Sequence, residues 1–163
     1  GWFTARAEWI TGLFNGSDSP FAASPWRRER GALWDVGPHA LSVLLRVLGD
    51  VTEPVPVAVA AGPGDTVHLT LRHVGGASST LTVTHTAPPA AAGEAVELRG
   101  SGGVARLPAG NGEGGPVGAF TRAVDALCQA ARGGPAHPCD VRFGLRVTEI
   151  LGAAEDALAT RRR

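Results

Sequence analysis

Alternation of apolar and polar side chains opens this chain. Phe3, Ala5, Ala7 and Trp9 fall on one side of an extended backbone, which predicts a strand within residues 1–14. Asn15-Gly16-Ser17-Asp18-Ser19-Pro20 is a turn cluster, and the loop it starts continues through Ser24-Pro25. A dense segment, Trp26 to Asp35, follows. From Pro38 to Leu48 the period changes: Leu41, Leu44, Leu45 and Leu48 recur at helical spacing, and Gly49 is placed to end the helix. Pro38 is tolerated only in a first turn, so this helix must begin near 35–37.

Between residues 54 and 108 the period is two. Val55, Val57 and Val59 alternate, Val67, Leu69 and Leu71 follow, and Leu81 and Val83 come after a turn at 75–78. Val96 and Leu98, a glycine-rich turn at 100–103 and a short strand at 104–107 complete the series. Successive strands on tight turns imply a mostly antiparallel sheet with one apolar face. Its other face is rich in threonine, which suits packing against a second copy. A glycine-rich loop at 110–116 leads to a helix over 117–132, which carries Val117, Phe120, Val124, Leu127 and Ala131 on one stripe. Asp140 is placed to cap a last helix that turns Val141, Leu145, Ile150, Leu151, Ala154 and Leu158 inward, and Arg161–Arg163 reads as a solvated end. The expected fold class is α+β: an open, mostly antiparallel sheet with helices on one face. There is no internal repeat and no dividing linker, so residues 1–163 read as a single domain.

Composition narrows the function. Fifteen basic residues balance fifteen acidic ones, which argues against a general electrostatic grip on nucleic acid or on an anionic membrane. No apolar run approaches the roughly 20 residues of a membrane-spanning helix, and no signal peptide is visible, so a cytoplasmic location is expected. All fifteen basic residues are arginine, so no lysine of this chain can act as proton donor or form a Schiff base. The start at Gly1 suggests a piece of a longer protein. Cys128-x8-His137-x-Cys139 matches no common zinc spacing, and both cysteines are read as structural, with no metal site expected. His68, His73, His85 and His137 are read as surface or interface residues. The glycine clusters at 100–103 and 110–116 read as turns rather than as a dinucleotide-binding fingerprint, so a dinucleotide-binding half is expected to be absent and no residue is assigned to cofactor binding.

The chemistry concentrates at Asp35 and His39. Four residues apart at a helix start, their side chains lie on the same side about one turn apart. The helix dipole favours a neutral His39 able to accept a proton, and the Asp35 carboxylate can orient the ring and stabilise its charged form. A carboxylate beside a histidine suits alcohol oxidation, where a hydroxyl proton leaves with a hydride from the same carbon. The spacing equally admits Asp35 as a helix cap and His39 as a packing residue.

The flanking residues are more specific. Trp26-Arg27, then Gly31-Ala32-Leu33-Trp34-Asp35-Val36-Gly37-Pro38-His39-Ala40-Leu41, then Leu48-Gly49, resemble the signature that opens the C-terminal domain of the Gfo/Idh/MocA oxidoreductases. More loosely, the order of elements through the alanine-rich end at 153–159 resembles that domain throughout. The resemblance implies a fold of the glyceraldehyde-3-phosphate-dehydrogenase-like C-terminal domain type. It implies an NAD- or NADP-dependent enzyme acting on a hydroxyl or carbonyl of a sugar, an inositol or a related compound. The cofactor would be held mainly by a Rossmann domain outside this chain, which would also carry the family's lysine in a Glu-Lys-Pro motif. By the same resemblance Asp35 and His39 are catalytic, with His39 the proton acceptor, and the chain alone is inactive. Trp26 and Arg27 match a loop bordering the substrate pocket, where Arg27 either binds substrate or pins the loop. The open sheet face implies a homo-dimer or tetramer. Ser42 stands where the family often has Asp, one glycine precedes Ala32 where two or three are common, and Trp34 replaces an aliphatic residue. Against this stand a non-catalytic dimerisation or ligand-sensing module of the same fold and, less supported, a metal-binding or hydrolytic domain around Asp35 and His39.

Overall fold

The computed structural model describes residues 1–161 except Ser17, Pro54 and 109–111, so the tail at 162–163 and part of the glycine-rich loop lie outside the described residues. Strand β1 (Trp2–Ile10) leads through residues 11–24 to helix α1 (Pro25–Asp35) and helix α2 (Gly37–Leu48). Strands β2 (Ala58–Ala61), β3 (Val67–Arg72), β4 (Ser78–Thr84), β5 (Gly93–Gly100) and β6 (Gly103–Arg106) follow, then helices α3 (Gly115–Ala131) and α4 (Val141–Arg161).

The six strands form one sheet in the order β2-β3-β4-β1-β5-β6. β1 runs antiparallel to β5 and parallel to β4; the other three pairings are antiparallel. β1 thus sits between two strands that follow each other in sequence. A parallel partner requires a crossover, here supplied by α1 and α2. The sheet is therefore mixed but mostly antiparallel, with helices on one face as the periodicity predicts.

The period-two pattern sets which face is covered. Ala5, Ala7, Leu69, Leu71, Leu81, Val83, Val96 and Leu98 are buried, and their small central members on β1 lie under α2. Leu41 and Leu44 of α2 are fully buried, each worth about 1.5–3 kcal/mol of apolar burial. In α4, Val147, Ile150, Leu151 and Ala154 are buried, and a Leu151 methyl lies against the Gly37 backbone. Trp34 donates from Nε1 to Glu155 at 3.0 Å, with Arg30 stacked on its ring, so its bulk ties α1 to α4.

Several expectations change. The first β-hairpin strand is Ala58–Ala61; Val57 lies before it and is exposed. The dense segment before Asp35 is itself helical. Contacts divide the chain into a unit of residues 1–107 with 147–163 and a unit of residues 108–146. In the second unit, α3 buries none of its residues: Val117, Phe120, Val124 and Leu127 are exposed, as are Val141 and Leu145 at the start of α4. That unit contains no strand among its described residues, so it offers no sheet face of its own to cover the stripe. Asp140 does cap α4, accepting from Arg142 N and Phe143 N at 3.0 Å each. Both cysteines are free and exposed. No helix among the described residues is long and apolar enough to cross a membrane.

Candidate active site

The junction between α1 and α2 is shaped by one residue. Gly31 lies at φ 66°, ψ −174°, a conformation that breaks α1 after Arg30. In an unbroken helix, residues eight apart are separated by about 12 Å along the axis. With the break, Arg27 Nε donates to Asp35 Oδ2 at 2.8 Å. The restarted turn exposes the Ala32 N–H, which donates to Asp65 Oδ2 at 3.0 Å, so a carboxylate from the β2–β3 loop caps it.

Asp65 reaches further than a cap. Its Oδ1 accepts from the Thr84 hydroxyl at 2.9 Å, from His85 N at 2.8 Å and from the Thr86 hydroxyl at 3.1 Å. One carboxylate thereby joins the helix carrying Asp35 to the end of β4 carrying His85. Gly64 before it has φ 61°, and a Cβ there would run into the Thr86 side chain.

His85 is almost fully buried. Its Nδ1 lies 2.8 Å from Thr11 Oγ1, and Phe14 meets the ring edge-on at 5.3 Å. Its Nε2 lies 3.0 Å from Asp35 Oδ2 but is not aligned as a hydrogen bond, and it has no other polar partner among the described residues. Asp35 Oδ2 is therefore approached by both Arg27 and His85. Among the described residues, Asp35 Oδ1 has no hydrogen-bonding partner.

These side chains open onto a cleft of about 530 Å³, lined among others by Thr11, Asn15, Phe21, Arg27, Asp35 and His85. The Arg27 guanidinium stacks 4.7 Å from the Phe21 ring and 5.5 Å from that of Trp26. With only Nε engaged, its remaining N–H groups have no partner among the described residues. Trp26 is half exposed beside it.

Of the residues expected to act, Asp35, Arg27 and Trp26 are brought together. His39 is in the first turn of α2, exposed, outside the cleft lining and with no side-chain hydrogen bond among the described residues. The imidazole that the fold sets against Asp35 is that of His85. The reading of His73 and His85 as surface or interface residues is corrected: both are 1% exposed. Their positions continue the alternations Val67-Leu69-Leu71 and Leu81-Val83 by one step onto the core face, a signal already present in the sequence. Asp65 had no such signal, because its role depends on three segments distant in sequence. Among the described residues no cluster of His, Cys, Asp and Glu is arranged to hold a metal.

Residues 6–106 match the family model described as the GFO/IDH/MocA C-terminal domain. No curated protein matches the sequence. Among solved structures, an NAD-binding oxidoreductase from Klebsiella pneumoniae is similar at 20% identity and a TM-score of 0.77, over 98% of this chain and 57% of that one. An oxidoreductase from Agrobacterium radiobacter, in complex with NAD+, L-tartaric acid and magnesium, is similar at 18% identity and 0.65, over 98% and 55%. Levoglucosan dehydrogenase in complex with NADH and levoglucosan is similar at 16% identity and 0.68, over 98% and 57%. At these identities the likeness establishes the fold. The chain spans a little over half the length of the solved structures it matches.

Proposed function

The chain belongs to the GFO/IDH/MocA family by its C-terminal domain, and from that premise we propose that it is the substrate-binding and catalytic half of a nicotinamide-dependent oxidoreductase. The substrate is a hydroxyl or carbonyl compound of the sugar, inositol or polyol class. In line with that class, one neighbour's structure contains levoglucosan and another's L-tartaric acid, both small and rich in oxygen.

The observation that carries this reading is the state of Asp35. Its carboxylate is held through one oxygen by Arg27 at 2.8 Å, one helical turn in sequence before the exposed imidazole of His39. His39 stands exposed in the first turn of α2, where its ring can accept a hydroxyl proton. Asp35 stabilises the charge that then develops. In the reverse direction His39 returns the proton to the carbonyl oxygen. The unengaged N–H groups of Arg27, at the cleft wall beside Trp26, bind substrate oxygens.

Among the described residues, the segment entering α1 is no dinucleotide cradle. Residues 11–24, between β1 and α1, carry Gly12 and Gly16 well before the helix start rather than at it. NAD or NADP, held by another part of the protein, supplies the hydride acceptor when bound. The protein works in the cytoplasm as a homo-dimer or tetramer that pairs through the threonine-bearing sheet face.

The test is turnover of the full-length protein on a panel of sugars and polyols with NAD+ and with NADP+, beside His39→Ala. We expect a loss of about 10²–10⁴-fold in kcat for the variant. A variant as fast as the wild type would remove His39 from the reaction.

A further inference from the structure

Two buried histidines in this fold use their rings differently. His73 engages both nitrogens: Nδ1 is 2.8 Å from the Gly49 carbonyl and Nε2 is 2.8 Å from Ser79 Oγ. A carbonyl only accepts, so Nδ1 carries a proton, and the serine hydroxyl can donate to a neutral Nε2. His73 thereby ties the end of α2 to the β3–β4 hairpin and has nothing left to offer.

His85 engages only Nδ1 in a hydrogen bond, to Thr11. If its role were packing beneath Phe14, an apolar side chain would serve better, because a buried polar nitrogen without a partner costs free energy. Instead Nε2 is set 3.0 Å from Asp35 Oδ2 at the wall of the cleft. The Thr11 hydroxyl can donate to Nδ1, which leaves the ring proton on Nε2, the nitrogen beside the carboxylate. The ring is held firmly: its own backbone N–H is fixed by Asp65, the same carboxylate that caps the turn leading to Asp35.

We infer that His85 is a positioning residue for Asp35, fixing its Oδ2 together with Arg27 so that Oδ1 is presented to the reacting groups. This rests on the role proposed above for Asp35. Arg27 alone anchors the carboxylate through one N–H on a long side chain and leaves it free to turn. The buried imidazole, immobilised by Thr11, Phe14 and Asp65, supplies the fixed second point. Substrate contacts the Arg27 and Trp26 side of the cleft, so loss of His85 should lower turnover more than affinity.

The experiment is a double-mutant cycle in the full-length protein: Asp35→Asn, His85→Leu and both together, with His85→Gln as the conservative variant. We expect His85→Leu to lower kcat about tenfold, the loss of one close polar contact to a charged group, with KM within about twofold. His85→Gln, whose terminal amide can donate to Asp35, should recover most of that loss. The double variant should be no slower than Asp35→Asn alone, because His85 acts through Asp35. Multiplicative losses in the cycle, or a KM effect larger than the kcat effect, would overturn the inference. If His85→Leu fails to fold, Thr11→Val takes its place in the cycle with the same expected pattern.

Failure of the wider reading is distinguishable. Should His39→Ala retain full activity, the role of His39 falls while the cycle still reads His85. Should no substrate turn over, the cycle is read in Tm, where coupling between Asp35→Asn and His85→Leu supports the pairing and additivity overturns it.

Discussion

At Gly31 the backbone enters a region that side chains other than hydrogen rarely occupy, and the consequence is felt at Asp35. A methyl group there would find room, its nearest neighbours being Asp65 atoms at 3.7 Å. The cost of Gly31→Ala is therefore conformational, about 1–3 kcal/mol, and should appear as a lower denaturation midpoint with an unchanged slope. A loss within a few tenths of a kcal/mol would mean that α1 can run through position 31 without its break. That glycine belongs to the segment whose residue types were informative from the start. Trp26, Arg27, Asp35 and the glycines around them were identifiable by type and order. That Arg27 would engage Asp35 rather than only border a pocket depended on the break at Gly31.

Strands obey a rule that reaches further along the chain than the strands themselves. The alternation that buries Leu81 and Val83 continues to His85, and that of Leu69 and Leu71 continues to His73. Residue type alone points both histidines to the surface, whereas register puts them on the core face, where His73 finds hydrogen-bond partners for both nitrogens and His85 for one. On the opposite face of the sheet, the β5–β6 hairpin joins Glu97 to Arg99 at 2.6 Å and to Arg106 at 2.9 Å. Hydrogen bonds from Arg99 and then Arg106 hold the Glu97 carboxyl below the ordinary value of 4.5. A carboxyl depressed on folding stabilises the fold above its unfolded value and loses that contribution as pH falls through the folded one. The Tm difference between wild type and Glu97→Gln should therefore be present at neutral pH, shrink below about pH 4, and diminish in high salt. A difference that grows on acidification would refute this account. Helices were less fully legible. The stripe on α3 is legible from its spacing, yet spacing reports only that a face is apolar and not what covers it.

Across the whole molecule, the sheet order concentrates polar side chains on the face away from α1 and α2. Arg6 is paired with Thr80 on β4 and with Glu97 on β5, and Thr80 is paired with Thr70 on β3. This is the face proposed to meet a second copy. A two-fold interface receives each substitution from both sides, so Thr80→Arg brings two added cations into it. Sedimentation of the full-length protein should then fall from an oligomer to a monomer, with the melting transition otherwise retained. An unchanged oligomer would place the interface elsewhere.

The sequence by itself determined the element types apart from α1, the buried sheet face, the extent of α2 and the residue types of the candidate site. Those properties follow from periods of 2 and 3.6, from where proline and glycine are tolerated, and from a local run of residues around Asp35. Tertiary structure decided that β1 enters between β4 and β5, parallel to one and antiparallel to the other. It also decided that the imidazole beside Asp35 comes from position 85, and that Asp65 binds both their segments. These contacts join residues 20 to 50 positions apart, and no periodicity along a chain records which distant segments will meet. The pairing is settled when the strands choose their neighbours and the β1–α1 crossover lays Asp35 over the end of β4.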